Sequence, residues 1–294
     1  AAGLTDPLDT AARPRWPPQT EVRQMTALDR RPIGVFDSGI GGLTVVRALM
    51  DRLPFEDLIY FGDSARVPYG VKSVATIEHF TQQIAEFLLK RQVKALIIAC
   101  NTMAAVAADV VRQVAGEVPV LDVIDAGARS AAQVSQQGGI AVIATPTTVN
   151  SNAYARAIHH LRPDARVYSQ ACPLFVPLVE EGWLDHPVTR LTAEEYLKSV
   201  LVEDVDTLVL GCTHYPLLKP LLQDVTDNRL TIVDSAVTTA EATAVRLAEL
   251  NLLNPQRGMP NYQYFVTDIP LRFQTIGERF LGRSIRQLEM VKLG

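Results

Sequence analysis

The stretch PIGVFDSGIGGL, residues 32–43, passes from a short apolar run through a polar, glycine-rich turn into the start of a helical pattern. Residues 33–36 have the length and composition of a fully buried strand. From residue 43 to 53 the apolar residues recur at helical spacing. A strand that ends in a polar turn and continues as a helix is the repeating unit of a parallel α/β sheet.

The same unit recurs along the chain. Further short apolar runs that end in small polar residues lie at residues 58–61, 95–99, 139–144 and 207–211. Amphipathic or alanine-rich helical patterns follow the first two of them. Short buried strands that alternate with helices predict parallel sheets covered on both faces.

The two halves of the chain share the spacing of their landmarks. Cys100 and Cys212 each follow a predicted strand and lie 112 residues apart, and the same interval separates Asp122 from Asp234. Chance similarity between strands rich in Val, Ile and Leu is the alternative explanation. We therefore predict an α/β fold with two pseudo-symmetric parallel-sheet domains and an active site in the cleft between them.

The predicted domain boundaries follow from this repeat. Residues 1–31 contain four prolines in a polar context and are expected to form a disordered arm, without the apolar core of a secretory signal. Residues 32–123 together with 236–294 are expected to form the first domain, and residues 124–235 the second. The final stretch lacks a third copy of the landmarks, so we expect it to return to the first domain.

Composition excludes several classes of protein. The 294 residues are 48% hydrophobic and 20% charged with a net charge of −4, which is typical of a globular chain with a large core. The lack of basic runs argues against nucleic-acid binding, and apolar stretches of about six residues are too short for a membrane helix of roughly 18. Three cysteines are too few for a disulfide scaffold and suggest a reducing cytoplasm.

Small polar residues follow most of the predicted strands. Ligands bind beyond the carboxyl ends of the strands in open α/β sheets, so these residues are the candidates for a binding site. The candidate residues are Asp37, Ser38, Pro68, Tyr69, Gly70, Cys100, Asn101, Thr102, Thr145, Thr148, Cys212, Thr213 and His214. If the two halves face each other, Cys100 and Cys212 come from equivalent positions and flank a single substrate.

Two opposed thiols suggest acid–base chemistry at one carbon atom. A thiol acts as a base only when it is ionised. Each cysteine is expected to precede a helix N-terminus, whose dipole favours negative charge, with Asp37 available to Cys100 and His214 to Cys212. A thiolate and a thiol on opposite faces can remove one proton and deliver another, which is what inversion of a stereocentre requires.

Other interpretations of the cysteines are weaker. Each could pack as a small buried side chain, which is the common fate of a single cysteine. A disulfide between the two would need closely spaced Cα atoms. A zinc site at Cys100, Cys212 and His214 lacks closely spaced ligand pairs, so no metal is expected. Cys172 has no counterpart in the other half and is expected to be structural.

The glycines of the first turn leave two interpretations open. Residues 39–42 suggest a dinucleotide-binding turn, but the third glycine of that motif would fall at Thr44, and no phosphate-binding loop follows. The turn could still present backbone N–H groups to a carboxylate. Alternatively, it is a tight turn that allows close packing. No cofactor is predicted.

Four motifs together carry a family resemblance. VFDSGIGGL at residues 35–43, PYG at 68–70, ACNT at 99–102 and GCTHYP at 211–216 occur in this order. With them, the chain from about residue 32 to its end resembles the bacterial glutamate racemases. The resemblance implies cofactor-independent interconversion of L- and D-glutamate, which supplies D-glutamate for peptidoglycan. It also implies that Cys100 and Cys212 are the opposed acid and base.

The resemblance assigns roles to individual residues. Asp37 and His214 match the auxiliary groups beside the two cysteines. A glutamate that assists the second cysteine falls at Glu180, with Glu181 as the neighbouring alternative. The implied substrate contacts, which include a carboxylate-binding turn at the two threonines near residue 146, are Asp37, Ser38, Pro68, Tyr69, Gly70, Asn101, Thr102, Thr145, Thr148, Thr213 and His214.

The resemblance also implies partners. Homodimers are common in the family, and some relatives with N-terminal extensions are activated by UDP-N-acetylmuramoyl-L-alanine, so activation is a hypothesis here. Three other functions remain as alternatives. A related racemase that acts on aspartate or a hydantoin is the nearest rival. A protein that only binds an amino acid would explain the polar strand ends but not the paired cysteines. The third rival is a racemase-like protein whose main role is to bind DNA gyrase.

Overall fold

Apolar strands and helices alternate along the chain in the computed structural model, as the sequence pattern predicts. The structure describes residues 29–201, 204–255, 258–268 and 273–293. The predicted disordered arm, residues 1–31, lies outside the described residues except for its last three.

Ten strands and eleven α-helices occur among the described residues. The strands are β1 (Ile33–Asp37), β2 (Leu58–Gly62), β3 (Ala95–Ile98), β4 (Val120–Asp122), β5 (Gly139–Ala144), β6 (Arg166–Ala171), β7 (Thr207–Gly211), β8 (Thr231–Asp234), β9 (Tyr262–Val266) and β10 (Leu288–Met290). The helices are α1 (Leu43–Arg52), α2 (Val74–Leu89), α3 (Asn101–Ala115), α4 (Val123–Val134), α5 (Pro146–Asn150), α6 (Ala153–Leu161), α7 (Phe175–Glu180), α8 (Pro187–Leu201), α9 (Lys219–Val225), α10 (Ser235–Glu249) and α11 (Phe273–Leu281).

These elements form two parallel sheets. The first has the strand order β10-β9-β2-β1-β3-β4, and the second has the order β6-β5-β7-β8. All pairings between the described strands are parallel, so the carboxyl ends of the strands in each sheet lie along one edge. The predicted α/β fold with two parallel sheets is confirmed.

Burial explains why the central strands have continuous apolar sequences. In β1, β2, β3, β5 and β7 every residue is buried. A parallel sheet covered by helices on both faces leaves no polar face, so these strands lack the alternating pattern of a half-exposed sheet. Among the described residues, no helix combines the length and apolarity needed to cross a lipid bilayer.

The C-terminal part of the chain completes the first sheet. Strand β9 pairs with β2, and β10 pairs with β9. Helix α10, which precedes them, packs against both α1 and α4. The segment after β8 therefore leaves the second sheet and contributes the outer strands of the first.

Asp122 and Asp234, two landmarks of the sequence repeat, perform the same structural task. Each ends a strand and caps the following helix, α4 or α10. Asp122 Oδ1 accepts hydrogen bonds from the backbone N–H groups of residues 124 and 125 at 2.9 and 2.8 Å. Asp234 Oδ1 accepts from residues 236 and 237 at 2.9 and 3.4 Å. The repeat at these positions therefore preserves a helix N-cap.

Candidate active site

The carboxyl ends of strands from both sheets meet at one cavity of about 680 Å³. Residues that follow β1, β2 and β3 line it from one side, and residues that follow β5 and β7 line it from the other. The predicted site residues that line this cavity are Asp37, Ser38, Pro68, Tyr69, Gly70, Cys100, Asn101, Thr102, Thr145, Glu180, Cys212, Thr213 and His214. The structure therefore brings together both thiols and most of the candidate polar groups.

Thr148, another predicted contact, lies behind the wall of the cavity. Its side chain is buried, and its hydroxyl oxygen lies 3.1 Å from Oγ1 of Thr145. Thr145 Oγ1 in turn lies 3.3 Å from Oγ1 of Thr102, which belongs to the other half of the chain. Thr148 thus supports the hydroxyl that reaches the cavity.

Cys100 is held as a neutral thiol. It occupies the N-cap position of α3, is 5% exposed, and its Sγ donates a hydrogen bond to Ser38 Oγ at 3.4 Å. Burial and the nearby charge of Asp37 raise the pKa of Cys100 to about 12, although hydrogen bonds from Ser38 and the backbone act in the opposite direction. The predicted influence of the helix N-terminus is outweighed by burial.

The helical segment that follows Cys212 begins with a 3₁₀ turn, whereas α3 begins directly after Cys100. The chain forms a 3₁₀ turn over Tyr215–Leu218, and α9 begins only at Lys219. A continuous α-helix from residue 213 would need the N–H of Pro220 to bond the carbonyl of Pro216, and proline has no N–H. The two thiols therefore differ in their local backbone although they follow equivalent strands.

A histidine and a glutamate accompany Cys212. His214 Nδ1 lies 4.0 Å from Cys212 Sγ, and His214 Nε2 lies 2.9 Å from Oε1 of Glu180. Burial alone lowers the pKa of His214, but hydrogen bonds and charges from Cys212 and Glu180 outweigh it and raise that pKa to about 10. The imidazole is therefore cationic at neutral pH. Between the two candidate glutamates, Glu180 makes this contact, and Glu181 also lines the cavity.

Two buried polar atoms in residues that line the cavity have no hydrogen-bond partner among the described residues. They are Oδ1 of Asp37 and Nδ2 of Asn101. The second oxygen of Asp37 accepts from the Gly39 N–H at 3.0 Å, and Asn101 Oδ1 accepts from the Tyr154 hydroxyl at 2.8 Å. The fixed orientation of both groups leaves one anionic acceptor and one amide donor for a ligand.

The glycine-rich turn serves close packing. A Cβ at Gly41 would lie 2.2 Å from Thr213 Oγ1 and 2.6 Å from His214 Nδ1. Thr44 Oγ1 also donates to the Thr213 carbonyl at 3.0 Å, which ties the start of α1 to the other half. Of the two interpretations of this turn, these contacts favour close packing.

Sequence reasoning missed Asp63, which supports Tyr69. Asp63 follows β2 directly and is fully buried. Its Oδ2 accepts a short hydrogen bond from the Tyr69 hydroxyl and forms an ion pair with Arg66, whose Nε lies 2.6 Å away. Burial and the charge of Asp63 raise the pKa of Tyr69, so the phenol stays protonated. Its position directly after a strand was the only sequence signal.

Phe273 and Ile276 of α11 also line the cavity. Phe280 of the same helix packs edge-on against the His214 ring, with ring centroids 5.0 Å apart. These residues lie far from every motif in the sequence, so no local pattern could have identified them. Among the described residues, no group of three His, Cys, Asp or Glu side chains is placed to hold a metal ion.

Comparisons with known proteins identify the family of this chain. A model of the Asp/Glu/Hydantoin racemase family matches residues 41–243. Glutamate racemase of Syntrophus aciditrophicus is 66% identical over 262 residues, which cover 89% of this chain and 97% of that protein. The crystal structure of Francisella tularensis glutamate racemase in complex with D-glutamate has a TM-score of 0.86 at 48% identity, covering 90% of this chain and 99% of the other.

A more distant structure shows the same fold with further ligands. Escherichia coli glutamate racemase in complex with L-glutamate and the activator UDP-MurNAc-ala has a TM-score of 0.72 at 27% identity, covering 89% of this chain and 98% of the other. The family match spans most of the chain and includes both cavity cysteines. The chain therefore belongs to the Asp/Glu/Hydantoin racemase family, as an isomerase of its glutamate racemase group.

Proposed function

We propose that this protein interconverts L- and D-glutamate without a cofactor, with Cys100 and Cys212 as opposed acid and base at the α-carbon. The observation that carries the proposal is that thiols at the ends of β3 and β7, corresponding strands of the two sheets, line one cavity. Removal of a proton by one thiolate and delivery by the other thiol inverts the stereocentre.

The surroundings of the two thiols support a division of roles at rest. Cys100, with its pKa raised to about 12 by burial and Asp37, is the proton donor. Cys212, whose Sγ lies 4.0 Å from Nδ1 of His214, is the base. By analogy with the family, Cys212 removes the α-proton of L-glutamate. In the reverse direction the two cysteines exchange roles.

The polar groups of the cavity suit an amino acid. The free carboxylate oxygen of Asp37 matches the ammonium group, and the Asn101 amide matches a carboxylate. An ammonium bound at Asp37 offsets the charge that raises the pKa of Cys100, which helps that thiol act as a base. Donors from Ser38 and Thr102 stabilise the carbanion, since an α-proton is far less acidic than a thiol.

We infer the other substrate contacts and the biological role from the resemblance to the family. We assign contacts to Pro68, Tyr69, Gly70, Thr145, Thr213 and His214, all of which line the cavity. Glutamate is the substrate best supported, because the Francisella tularensis relative carries D-glutamate in its crystal structure. We propose that the product D-glutamate supplies peptidoglycan synthesis in the cytoplasm.

We further propose two domains and a homodimer. The first domain comprises residues 32–123 and 236–294, and the second comprises residues 124–235, in line with the division of strands between the sheets. UDP-N-acetylmuramoyl-L-alanine is a candidate activator, since the Escherichia coli relative binds it. Equal racemisation rates with and without this precursor would remove that part of the proposal. Sedimentation equilibrium tests the dimer.

Circular dichroism of D-glutamate mixed with the purified protein, without pyridoxal phosphate, tests the proposed reaction. Decay of the signal to zero is expected, and D-aspartate is expected to retain its signal. Decay with D-aspartate alone would keep the mechanism and change the substrate. If both signals persist while the protein is folded and reduced, the enzyme proposal fails in favour of simple binding.

A further inference from the structure

Arg279 in α11 contacts the end of α7, the helix that carries Glu180. Its Nη1 donates to the carbonyl oxygens of Val179 at 3.3 Å and of Glu180 at 3.2 Å. The last carbonyls of a helix lack donors within the helix and carry the negative end of its dipole. The guanidinium therefore caps α7 from a distant part of the chain.

The chain after α7 leaves room for this guanidinium. Gly182 has φ +82, and a Cβ there would lie 2.7 Å from Nη1 of Arg279. The N–H groups of Gly182 and Trp183 bond back to the carbonyls of Val179 and Leu178 at 3.0 and 2.9 Å, the pattern of a Schellman end. Gly182 thus ends the helix and admits the arginine.

Neighbouring residues of α11 contact both members of the Glu180–His214 pair. Arg279 holds the backbone of Glu180, and the buried Phe280 packs edge-on against the His214 ring. Arg279 itself does not belong to the wall of the cavity. Its hydrogen bonds reach the site through the backbone of Val179 and Glu180, so it can act on the reaction only through other residues.

We propose that Arg279 is a positioning residue for the Cys212 side of the reaction, where it fixes the end of α7 so that the Glu180 carboxylate holds His214 beside the thiol. This inference rests on the proposed two-thiol function. It predicts that loss of Arg279 impairs proton transfer at Cys212 and spares proton transfer at Cys100.

Racemisation rates cannot distinguish an effect on proton transfer at Cys212 from an effect on proton transfer at Cys100. The equilibrium constant between enantiomers is one, so kcat/KM must change equally in both directions. Elimination from the enantiomers of β-chloroglutamate does separate them, because it needs one base only. The thiolate takes the α-proton, the C–H electron pair forms the Cα=Cβ bond, and chloride leaves with the C–Cl pair. The enantiomer that the Cys100→Ser variant still converts is the one served by Cys212.

The experiment compares Arg279→Met with Arg279→Lys and with the matched control Arg283→Met. Arg283 pairs with Asp51 at the surface, with Nη2 2.6 Å from Oδ1. We expect Arg279→Met to slow elimination from the Cys212 enantiomer about tenfold, since a misplaced catalytic group costs up to about a hundredfold. The rate of elimination from the other enantiomer should stay within about twofold of the rate of the unmodified protein. The corresponding change in the activation free energy is too small for the loss of a contact in the transition state. Arg279→Lys should recover part of the loss, and Arg283→Met should slow neither.

Several results would overturn the inference. An equal loss for both enantiomers would mean that Arg279 only stabilises the fold. In that case the melting temperatures of Arg279→Met and Arg279→Lys should both be lower than that of the unmodified protein. Unchanged elimination, or a loss confined to the enantiomer served by Cys100, would also contradict it. If the unmodified protein eliminates chloride from neither enantiomer and racemises nothing, the two-thiol function itself fails. That result differs from a failure of Arg279 alone.

Discussion

The Glu180 carboxylate and the His214 imidazole form an ion pair at the wall of the cavity, with Oε1 and Nε2 2.9 Å apart. The other ring nitrogen of His214 faces the Cys212 sulfur at 4.0 Å. The pair therefore places a positive charge beside one thiol, while Cys100 has the carboxylate of Asp37 nearby. Two cysteines from corresponding strands thus lie in opposite electrostatic surroundings.

Replacement of Glu180 by Gln should lower the pKa of His214. Burial lowers this pKa, and contacts with Cys212 and Glu180 raise it to about 10, so removal of one favourable partner leaves burial less opposed. NMR titration of the imidazole, assigned with His214→Asn, measures the change. Glu181→Gln is the matched control, and an equal fall in both variants would contradict a specific contact.

The same pair should make stability depend on pH. His214 has a folded pKa of about 10 against an ordinary value of 6.5, so the native state binds its proton more tightly. The contribution to the free energy of unfolding is complete below pH 6.5 and is lost as the pH rises towards 10. Urea unfolding should show the advantage of the unmodified protein over His214→Asn shrinking across this range. An advantage that grows with pH would contradict the sign of the shift.

The three cysteines should respond differently to replacement. Cys100→Ala and Cys212→Ala should each lower racemisation by at least about a thousandfold, because each removes one of the two proton carriers. Cys172→Ala should keep it, since the Cys172 thiol is buried and outside the cavity wall. The single Cys→Ser variants should eliminate chloride from opposite enantiomers of β-chloroglutamate. Substantial racemisation by either active-site variant would exclude the two-thiol mechanism.

Features set by neighbouring residues could be predicted from the sequence. The apolar runs predict the buried strands, and the polar residues directly after them, such as Cys100 and Cys212, lie at the cavity because parallel strands share one carboxyl edge. The sequence pattern predicts a helix N-terminus after each cysteine, but it does not separate the 3₁₀ turn after Cys212 from the α-helix after Cys100, since strand length and spacing do not register the missing N–H of Pro220.

Features that join distant segments could not be predicted in this way. The Tyr154 hydroxyl orients Asn101 across 53 residues, and Arg279 reaches Glu180 across 99. No periodicity within a helix or strand encodes such contacts, because they depend on how the second sheet and the C-terminal helix pack against the first sheet.

Gly41→Ala should reduce both stability and activity. Its Cβ would lie 2.2 Å from Thr213 Oγ1 and 2.6 Å from the His214 ring, so one side must move. Overpacking of this kind costs about 1–3 kcal/mol, and displacement of His214 should slow racemisation as well. Gly258→Ala is the control, since a Cβ there meets none of the described atoms within 4 Å. If Gly41→Ala and Gly258→Ala have the same free energy of unfolding and the same racemisation rate, the turn accommodates the added Cβ without cost and the prediction is wrong.

Lys94→Met should destabilise the fold without changing the site. Lys94 Nζ lies 2.5 Å from Glu56 Oε2, both side chains are at most 3% exposed, and the ammonium also donates to the Leu252 carbonyl at 2.7 Å. Loss of the cation leaves a buried carboxylate without its charge partner, which costs about 3–5 kcal/mol in urea unfolding. Lys94→Met combined with Glu56→Gln should recover part of this cost, because the uncompensated charge is gone. The pair lies just before β2 and β3, at the edge opposite the cavity, so the folded variant should racemise glutamate at the normal rate. If the double variant is no more stable than Lys94→Met, the loss of stability comes from altered packing and not from the unpaired charge.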